Sequence, residues 1–327
     1  MFQPVGLLVS DFDETITQHD SICEIAKLAY EKRARQGECP ILNEKLAPDN
    51  NDAGECPPPW SYFVEKYFRD RKEHIKFWNE THPERTLQDH YKMLESLREV
   101  EKKSLNRVEK YQCLSGMHCD ELFETGERIP KRDGVTEVLK SYLLECANSS
   151  ISRYFYILST NWSRDMLLGS LKDLVGIKRE HILSNDLIFD GTDCTTGKVQ
   201  RNVLSALDKL SIFSKLKIPR GTISVYIGDS NTDLPCLRII MGNNNTLSKD
   251  CAKFGIEIVE GLVGKIDTND LITTNKRNSK LFRVQSWKEI LDSGVADVSE
   301  RSKEPDLSSG MRKHAWVRTP PSAIYFQ

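Results

Sequence analysis

The residues best suited to chemistry lie in Asp11-Phe12-Asp13-Glu14-Thr15-Ile16-Thr17, directly after the apolar run Val5–Val9. Carboxylates at i and i+2 just beyond a buried strand sit at its C-terminal edge, where open α/β sheets bind ligands. Packing two such charges together is unfavourable unless a cation or a reaction needs them. A second acidic group, Gly228-Asp229-Ser230-Asn231-Thr232-Asp233, follows Val225-Tyr226-Ile227 in the same way. Two acidic strand ends converging on one hard cation would offer the all-oxygen ligation that Mg²⁺ prefers. Tyr154–Leu158 ends in Ser159-Thr160-Asn161, whose hydroxyl and amide groups can hydrogen-bond a phosphoryl oxygen. Lys209, in Asp208-Lys209-Leu210, can supply a balancing positive charge. Singly these features are weak, since an Asp-x-Asp after a strand is often a turn and most lysines decorate surfaces. As an ordered set they are specific.

The elements that must position this set read as an α/β fold. Short apolar runs at Val5–Val9, Tyr154–Leu158, Ile223–Ile227, Ile256–Val259 and Leu281–Val284 are what fully buried parallel strands look like. Between several of them lie segments of helical period, at Val135–Leu144, Arg164–Leu174 and Val203–Leu216. Strands alternating with helices predict a parallel sheet covered on both faces. Residues 20–128 break the alternation. Leu87, Tyr91, Leu94, Leu97, Leu105 and Val108 recur there at near-helical spacing among many charges, which predicts a helical insertion after the first strand. The expected organisation is a core of residues 1–19 and 129–293, a helical insert of 20–128 and a flexible tail of 294–327. Thr268–Ser279, polar and rich in Asn and Thr, reads as a surface loop.

Composition narrows the function classes. The 327 residues carry 46 Lys+Arg against 48 Asp+Glu, a formal net charge of −2 that does not suit binding nucleic acid by phosphate neutralisation. With 39% hydrophobic and 29% charged residues the chain has enough apolar material for a core and a charge-rich surface. No stretch approaches the ~18 consecutive apolar residues of a membrane helix. The first ten residues lack the basic region of a signal peptide. Nine scattered cysteines without a Cys-x-x-Cys read as free thiols in a reducing compartment, so a cytoplasmic location is expected. His74, His82 and His90 are spaced eight apart and interrupted by Pro83, which does not place metal ligands on one helical turn. No Gly-x-Gly-x-x-Gly or P-loop is present.

The ordered set resembles the haloacid dehalogenase (HAD) superfamily, whose Mg²⁺-dependent phosphatases carry four such motifs in this order. The insert after the first motif resembles that superfamily's C1 cap, and the resemblance implies a Rossmann-like core. It further implies that Asp11 is the nucleophile and Asp13 the general acid/base. Ser159 matches the hydroxyl of the second motif. Asp229 matches the metal-binding Asp, held together with the Asp11 carboxylate and the Asp13 backbone carbonyl, and Asp233 the second acidic residue of that motif. Lys209 is the choice for the third motif, with Lys198 and Lys215 as substitutes. Thr15 is expected to steady the loop by local hydrogen bonds or to cap a helix. A closer resemblance, to the thiamine monophosphate phosphatase halves of plant bifunctional proteins, is carried by Leu158-Ser159 with Trp162, Ser184-Asn185-Asp186, Thr196-Gly197-Lys198, Asp208-Lys209, Phe254-Gly255 and Ser286-Trp287-Lys288-Glu289-Ile290.

The expected activity is a Mg²⁺-dependent phosphomonoesterase working through an aspartyl-phosphate, its partner a small phosphate ester. Thiamine monophosphate leads as substrate, with Trp162 and Asn161 as candidate substrate contacts. Trp162 is also placed to be a packing residue at a helix start. Trp60, Tyr62, Phe63, Tyr67, Phe68 and Trp78 form an aromatic stretch of the insert, most of it core and one or two residues lining a pocket. The rival readings are a phosphatase for phosphoserine, pyridoxal phosphate or a nucleotide, and a noncatalytic protein that keeps the fold. Oligomeric state is not readable from the residues.

Overall fold

The computed structural model describes residues 4–37, 57–82, 86–148, 153–220, 222–241, 253–258, 279–292 and 324–325. In chain order the elements are β1 (Val5–Ser10), α1 (Ile22–Arg35), α2 (Trp60–Thr81), α3 (Leu87–Ser96), α4 (Arg98–Lys110), β2 (Ser115–His118) and α5 (Cys119–Glu127). They continue as α6 (Val135–Asn148), β3 (Tyr154–Leu158), α7 (Arg164–Ser170), β4 (Ile182–Leu183), β5 (Asp186–Phe189), β6 (Cys194–Gln200) and α8 (Ala206–Phe213). The last are β7 (Ile223–Gly228), α9 (Leu234–Met241), β8 (Lys253–Ile258), β9 (Ser279–Val284), α10 (Trp287–Asp292) and β10 (Ile324–Tyr325). The five apolar runs are five of these strands, with Val259 of the fourth lying outside the described residues. Of the loop expected at Thr268–Ser279, all but Ser279 lies outside the described residues, as does the tail apart from Ile324–Tyr325.

Among the described residues the main sheet has the order β10-β9-β8-β7-β1-β3-β4. All its pairings are parallel except β10 on β9. β1 lies between β3 and β7, with Ser10 level with Ile157 of β3 on one side and Ile227 of β7 on the other. The C-terminal ends of these three strands therefore open on one point of the sheet edge. All six residues of β1 and of β7 are buried, which is why both read as unbroken apolar runs. One face of the sheet packs Leu8, Ile157, Val225 and Ile227 against Val138 and Leu139 of α6 and Trp287 of α10. The other packs Leu7, Val9, Leu158 and Tyr226 against Phe213 of α8 and Leu234 and Leu237 of α9. The result is a Rossmann-like α/β sandwich.

Residues 20–128 are not purely helical. β2 lies inside this stretch and pairs antiparallel with β6, which pairs antiparallel with β5, forming a separate sheet in the order β2-β6-β5. Helical periodicity could not show β2, because a four-residue strand spans barely one turn of the surrounding helical pattern. The insert is joined to the main core without a break: Ile25, Ala29, Phe63, Leu105 and Val108 share one buried cluster with Leu8 and Phe12. A second tie runs from Arg98 of α4, which donates to Asp208 Oδ1 (2.7 Å) and Ser205 Oγ (3.0 Å) at the start of α8.

α5 and α7 cross at almost backbone contact. A Cβ on Gly126 would stand 1.9 Å from the Met166 carbonyl oxygen, and one on Gly169 equally close to that of Phe123. No helix is long and apolar enough to cross a membrane among the described residues. Cys23, Cys113, Cys119, Cys146, Cys194 and Cys236 are free thiols.

Candidate active site

Asp11 is the first residue beyond β1, and its backbone N–H donates to the Ile227 carbonyl of β7 (2.9 Å). That bond prolongs the ladder by one residue and carries the Asp11 carboxylate over to the end of β7. There it meets Asp229 and Asp233, with carboxylate oxygens of all three within 4.8 Å of one another. All three side chains are buried. The Gly-Asp-Ser-x-x-Asp spacing has a steric reason: a Cβ on Gly228 would come within 2.5 Å of Asp233 Cγ, so only glycine leaves room for the returning Asp233.

Lys209 joins this group from α8. Ser205 and Asp208 form a capping box that starts the helix, its side chains satisfying the first backbone N–H groups. One residue on, Lys209 enters the interior with 1% exposure and ion-pairs at 2.9 Å with both Asp11 Oδ1 and Asp233 Oδ1. Burial lowers the Lys209 pKa, but the charges of Asp11 and Asp233 outweigh it and the ammonium is held charged. Lys198 is exposed on β6 and Lys215 is exposed beyond α8, so neither substitute lies at this point. Asp233 also accepts from Tyr226 Oη (2.7 Å) and from Ser230 N (3.2 Å). Burial, then the Asp233 charge, push the Asp11 carboxyl well above the ordinary carboxylate range, against the opposing pull of Lys209.

Thr15 makes a different bond from the local one its position implies. Its Oγ1 donates to Asp229 Oδ1 (3.1 Å), bridging the two acidic loops, while its carbonyl accepts from Trp287 Nε1 (2.8 Å). The turn that aims it passes through Glu14 at φ 56°, a left-handed conformation rare for a residue with a Cβ.

Asp13 sits in its own cradle. Ser21 donates to Asp13 Oδ1 from both N (2.8 Å) and Oγ (2.5 Å), and Asn161 Nδ2 donates to Oδ2 (3.0 Å). Burial raises the Asp13 pKa even against these hydrogen bonds. Ser21 precedes α1 as its N-cap, yet its hydroxyl caps no backbone N–H and is spent on Asp13. A sequence reading classes such a serine as a helix cap, and only the diverted hydroxyl reveals its attachment to Asp13. Asn161 is fully buried at the end of β3, beside the buried Ser159, whose Oγ accepts from Asn161 N (3.1 Å). Trp162 is 9% exposed and meets Trp60 of α2 edge-to-face at 6.3 Å.

The remaining candidates stay apart from this site. His74 shares a hydrogen bond with Ser96 Oγ (2.7 Å), and His82 stacks on Trp78 at 4.0 Å. In the aromatic stretch, Phe63 is core and Phe68 is 60% exposed. The hydroxyl of Tyr226 on Asp233 had no sequence signal.

The donor set fits a divalent cation. Among the described residues three buried carboxylates meet one buried ammonium, and the carboxylate oxygens are the ligand type that Mg²⁺ prefers. Asp11 and Asp229 would hold it.

No protein-family model matches the chain. It is 25% identical over 310 residues to the Bifunctional TH2 protein, mitochondrial, of Arabidopsis thaliana; the match spans 87% of this chain and 48% of that protein, about half its length. It is 27% identical over 296 residues to Cold tolerance protein 1 of Saccharomyces cerevisiae, spanning 79% of this chain and 84% of the relative. Among solved structures, a substrate-bound phosphoserine phosphatase complex aligns with 16% identity and a TM-score of 0.37, over 78% of this chain and 87% of the other. In the order of its motifs the chain resembles the phosphatases of the haloacid dehalogenase superfamily.

Proposed function

We propose that this chain is a phosphomonoesterase of the haloacid dehalogenase type, acting on a small phosphorylated metabolite with Mg²⁺ as cofactor. The observation that carries this reading is the convergence of Asp11, Asp229, Asp233 and Lys209 at the C-terminal edge of the sheet, with Asp13 held beside them.

In this reading an Asp11 carboxylate oxygen attacks phosphorus, the bond to the ester oxygen breaks, and an aspartyl-phosphate forms. Asp13 gives its proton to the departing oxygen. Its raised pKa keeps that proton available, and Ser21 and Asn161 fix the direction of transfer. Asp13, now a carboxylate, takes a proton from water as the water attacks phosphorus. The bond to Asp11 then breaks, phosphate leaves and Asp13 is again protonated. Lys209 holds Asp11 in place and offsets the charge of the incoming dianion, while Ser159 is placed to hydrogen-bond a phosphoryl oxygen. Bound Mg²⁺ supplies a Lewis acid that neutralises the phosphoryl oxygens. α1 to α4 then act as a cap over the leaving-group side.

Thiamine monophosphate is the leading substrate. The motif resemblance supports it, and a match to a bifunctional plant protein is of the kind that resemblance implies. Trp60, half-buried, also has an aromatic face suited to a cationic ring, an interaction worth about 0.5–2 kcal/mol, with the buried Trp162 packed edge-to-face against it.

The test is phosphate release from thiamine monophosphate, phosphoserine, pyridoxal phosphate and nucleoside monophosphates, with Mg²⁺ and with EDTA. Release is expected with Mg²⁺ only, fastest from thiamine monophosphate, and abolished in Asp11→Asn. Full activity in Asp11→Asn would overturn the mechanism, and preference for another ester would remove only the substrate.

A further inference from the structure

The loop that carries Asp11 and Asp13 does not hold its shape by itself. The backbone N–H groups of Thr15, Ile16 and Thr17 all donate to one carbonyl, that of Phe12. The carbonyls of Glu14, Thr15 and Ile16 are taken by donors from outside the loop. Arg132 Nε donates to Glu14 (2.7 Å) and Arg132 N to Ile16 (2.8 Å), from the stretch where the chain returns from the insert. Thr15, between them, accepts from the indole Nε1 of Trp287, the first residue of α10 (2.8 Å). Thr15 and Trp287 are both fully buried.

Trp287 is itself held through its backbone, whose N–H donates to the Asp133 carbonyl (3.2 Å). Gly134 permits this approach: its φ is 84°, and a Cβ there would lie 2.5 Å from Lys288 N and 2.9 Å from the Trp287 carbonyl carbon. One residue thus binds the chain at Thr15, where it leaves the sheet for the insert, and at Asp133, where it comes back. No step of the reaction above uses Trp287.

The indole bond reaches the carboxylate cluster through one residue. Thr15, whose carbonyl it holds, donates from Oγ1 to Asp229 Oδ1 (3.1 Å). A hydrogen bond to one oxygen fixes the rotation of a carboxylate, and with it the direction of the other oxygen. A buried carbonyl deprived of its donor bears its full desolvation cost, so without the indole the Thr15 peptide would turn towards another partner and take its hydroxyl along.

We propose that Trp287 is a positioning residue for the divalent cation: its indole N–H sets the Thr15 peptide, and the Thr15 hydroxyl sets the Asp229 carboxylate. This rests on the cation-binding part of the reading above, and not on hydrolysis or on the identity of the ester.

The experiment titrates Mg²⁺ calorimetrically into the full chain, stripped of metal and without substrate. Trp287→Phe keeps an aromatic ring and loses the N–H, and its Kd for Mg²⁺ should rise about fivefold or more, the weight of one buried hydrogen bond. 3-Benzothienylalanine at position 287, with sulfur in place of the N–H and the ring shape kept, should raise it as much. Thr15→Val should raise Kd at least as far. Adding Trp287→Phe to it should then change Kd by less than about twofold, because the path to Asp229 is already cut. A Kd within about twofold of native in both 287 variants would overturn the proposal. So would effects that multiply in the double variant, which would make Trp287 a packing residue acting on the whole loop, and so would native protein that binds no Mg²⁺. If Trp287→Phe does not fold, the benzothienylalanine protein decides on the same Kd.

Phosphate release from the same proteins separates the two readings. A Trp287-dependent Kd for Mg²⁺ in a protein that hydrolyses no ester would sink the phosphatase reading and keep the positioning role. Mg²⁺-dependent hydrolysis with an unmoved Kd in the 287 variants would do the reverse.

Discussion

Asp13 and Asp20 show how seven residues of separation can produce opposed tasks for two aspartates. Asp13 is half-buried and takes three hydrogen bonds, while Asp20 reaches solvent and accepts from Ile22 N at 2.9 Å. The surrounding protein, then the charge of Asp13, push the Asp20 carboxyl from an ordinary 3.8 up to about 6. A carboxyl whose folded pKa is raised binds more protons folded than unfolded between those values. Its ionisation therefore costs stability that is lost as pH rises from about 4 to about 6, and solvent screening limits the size of the loss. Asp20→Asn keeps the acceptor for Ile22 and should melt at a higher temperature than the native protein at pH 7, with the two curves meeting near pH 4. Thermal melts in EDTA at both values check this, and an unchanged or lower Tm at pH 7 would contradict it.

Elements hold these residues at fixed separations through contacts that allow no substitution in size. The crossing of α5 and α7 is the clearest. Gly126 and Gly169 each lie against a carbonyl of the other helix, so neither can carry a methyl group without pushing the helices apart. α5 closes the insert and α7 begins six residues after Leu158, so the crossing ties the insert to the strand end that presents Ser159 and Asn161. Gly126→Ala should destabilise the fold by about 1–3 kcal/mol, the usual cost of overpacking, even though alanine is the better helix former. Urea denaturation measures it, and a loss under about 0.5 kcal/mol would show that the helices can part freely. α8 is legible from sequence in a way this crossing is not. Ser205-Ala206-Leu207-Asp208 is a local capping signature that places Lys209 in the first turn. The glycines of α5 and α7 carry no such signature, since their reason is a partner helix more than forty residues away.

At the scale of the whole molecule the sheet edge gathers three carboxylates around one ammonium among the described residues. Asp11, Asp229 and Asp233 are buried around Lys209, and burial is the leading cause of the raised Asp11 pKa. A cation bound only by the folded chain stabilises it by RT ln(1 + [L]/Kd), about 2.7 kcal/mol at a hundredfold excess over Kd. Mg²⁺ should accordingly raise the Tm of the native protein, EDTA should reverse the rise, and Asp229→Asn should remove the response. Calorimetry with and without Mg²⁺ decides this, and a Tm indifferent to the ion would argue against Asp11 and Asp229 as its ligands.

What the sequence determined by itself is local. Val5–Val9, Tyr154–Leu158 and Ile223–Ile227 are strands buried on both faces, so each had to be an unbroken apolar run, and the polar residues that end them had to mark one edge of the sheet. From the order of those edges came the α/β fold, the carboxylates and the reading of their chemistry. The tertiary structure alone decided which groups meet. It set Lys209, the choice made from sequence, between Asp11 and Asp233, turned the Ser21 hydroxyl to Asp13, and sent Thr15 across to Asp229. It paired β2 with β6, and it set Tyr67 on Glu101. Each of these is a bond between residues whose separation follows no helical or strand period. Such a bond leaves no pattern in the chain, because its geometry exists only once the intervening elements have packed.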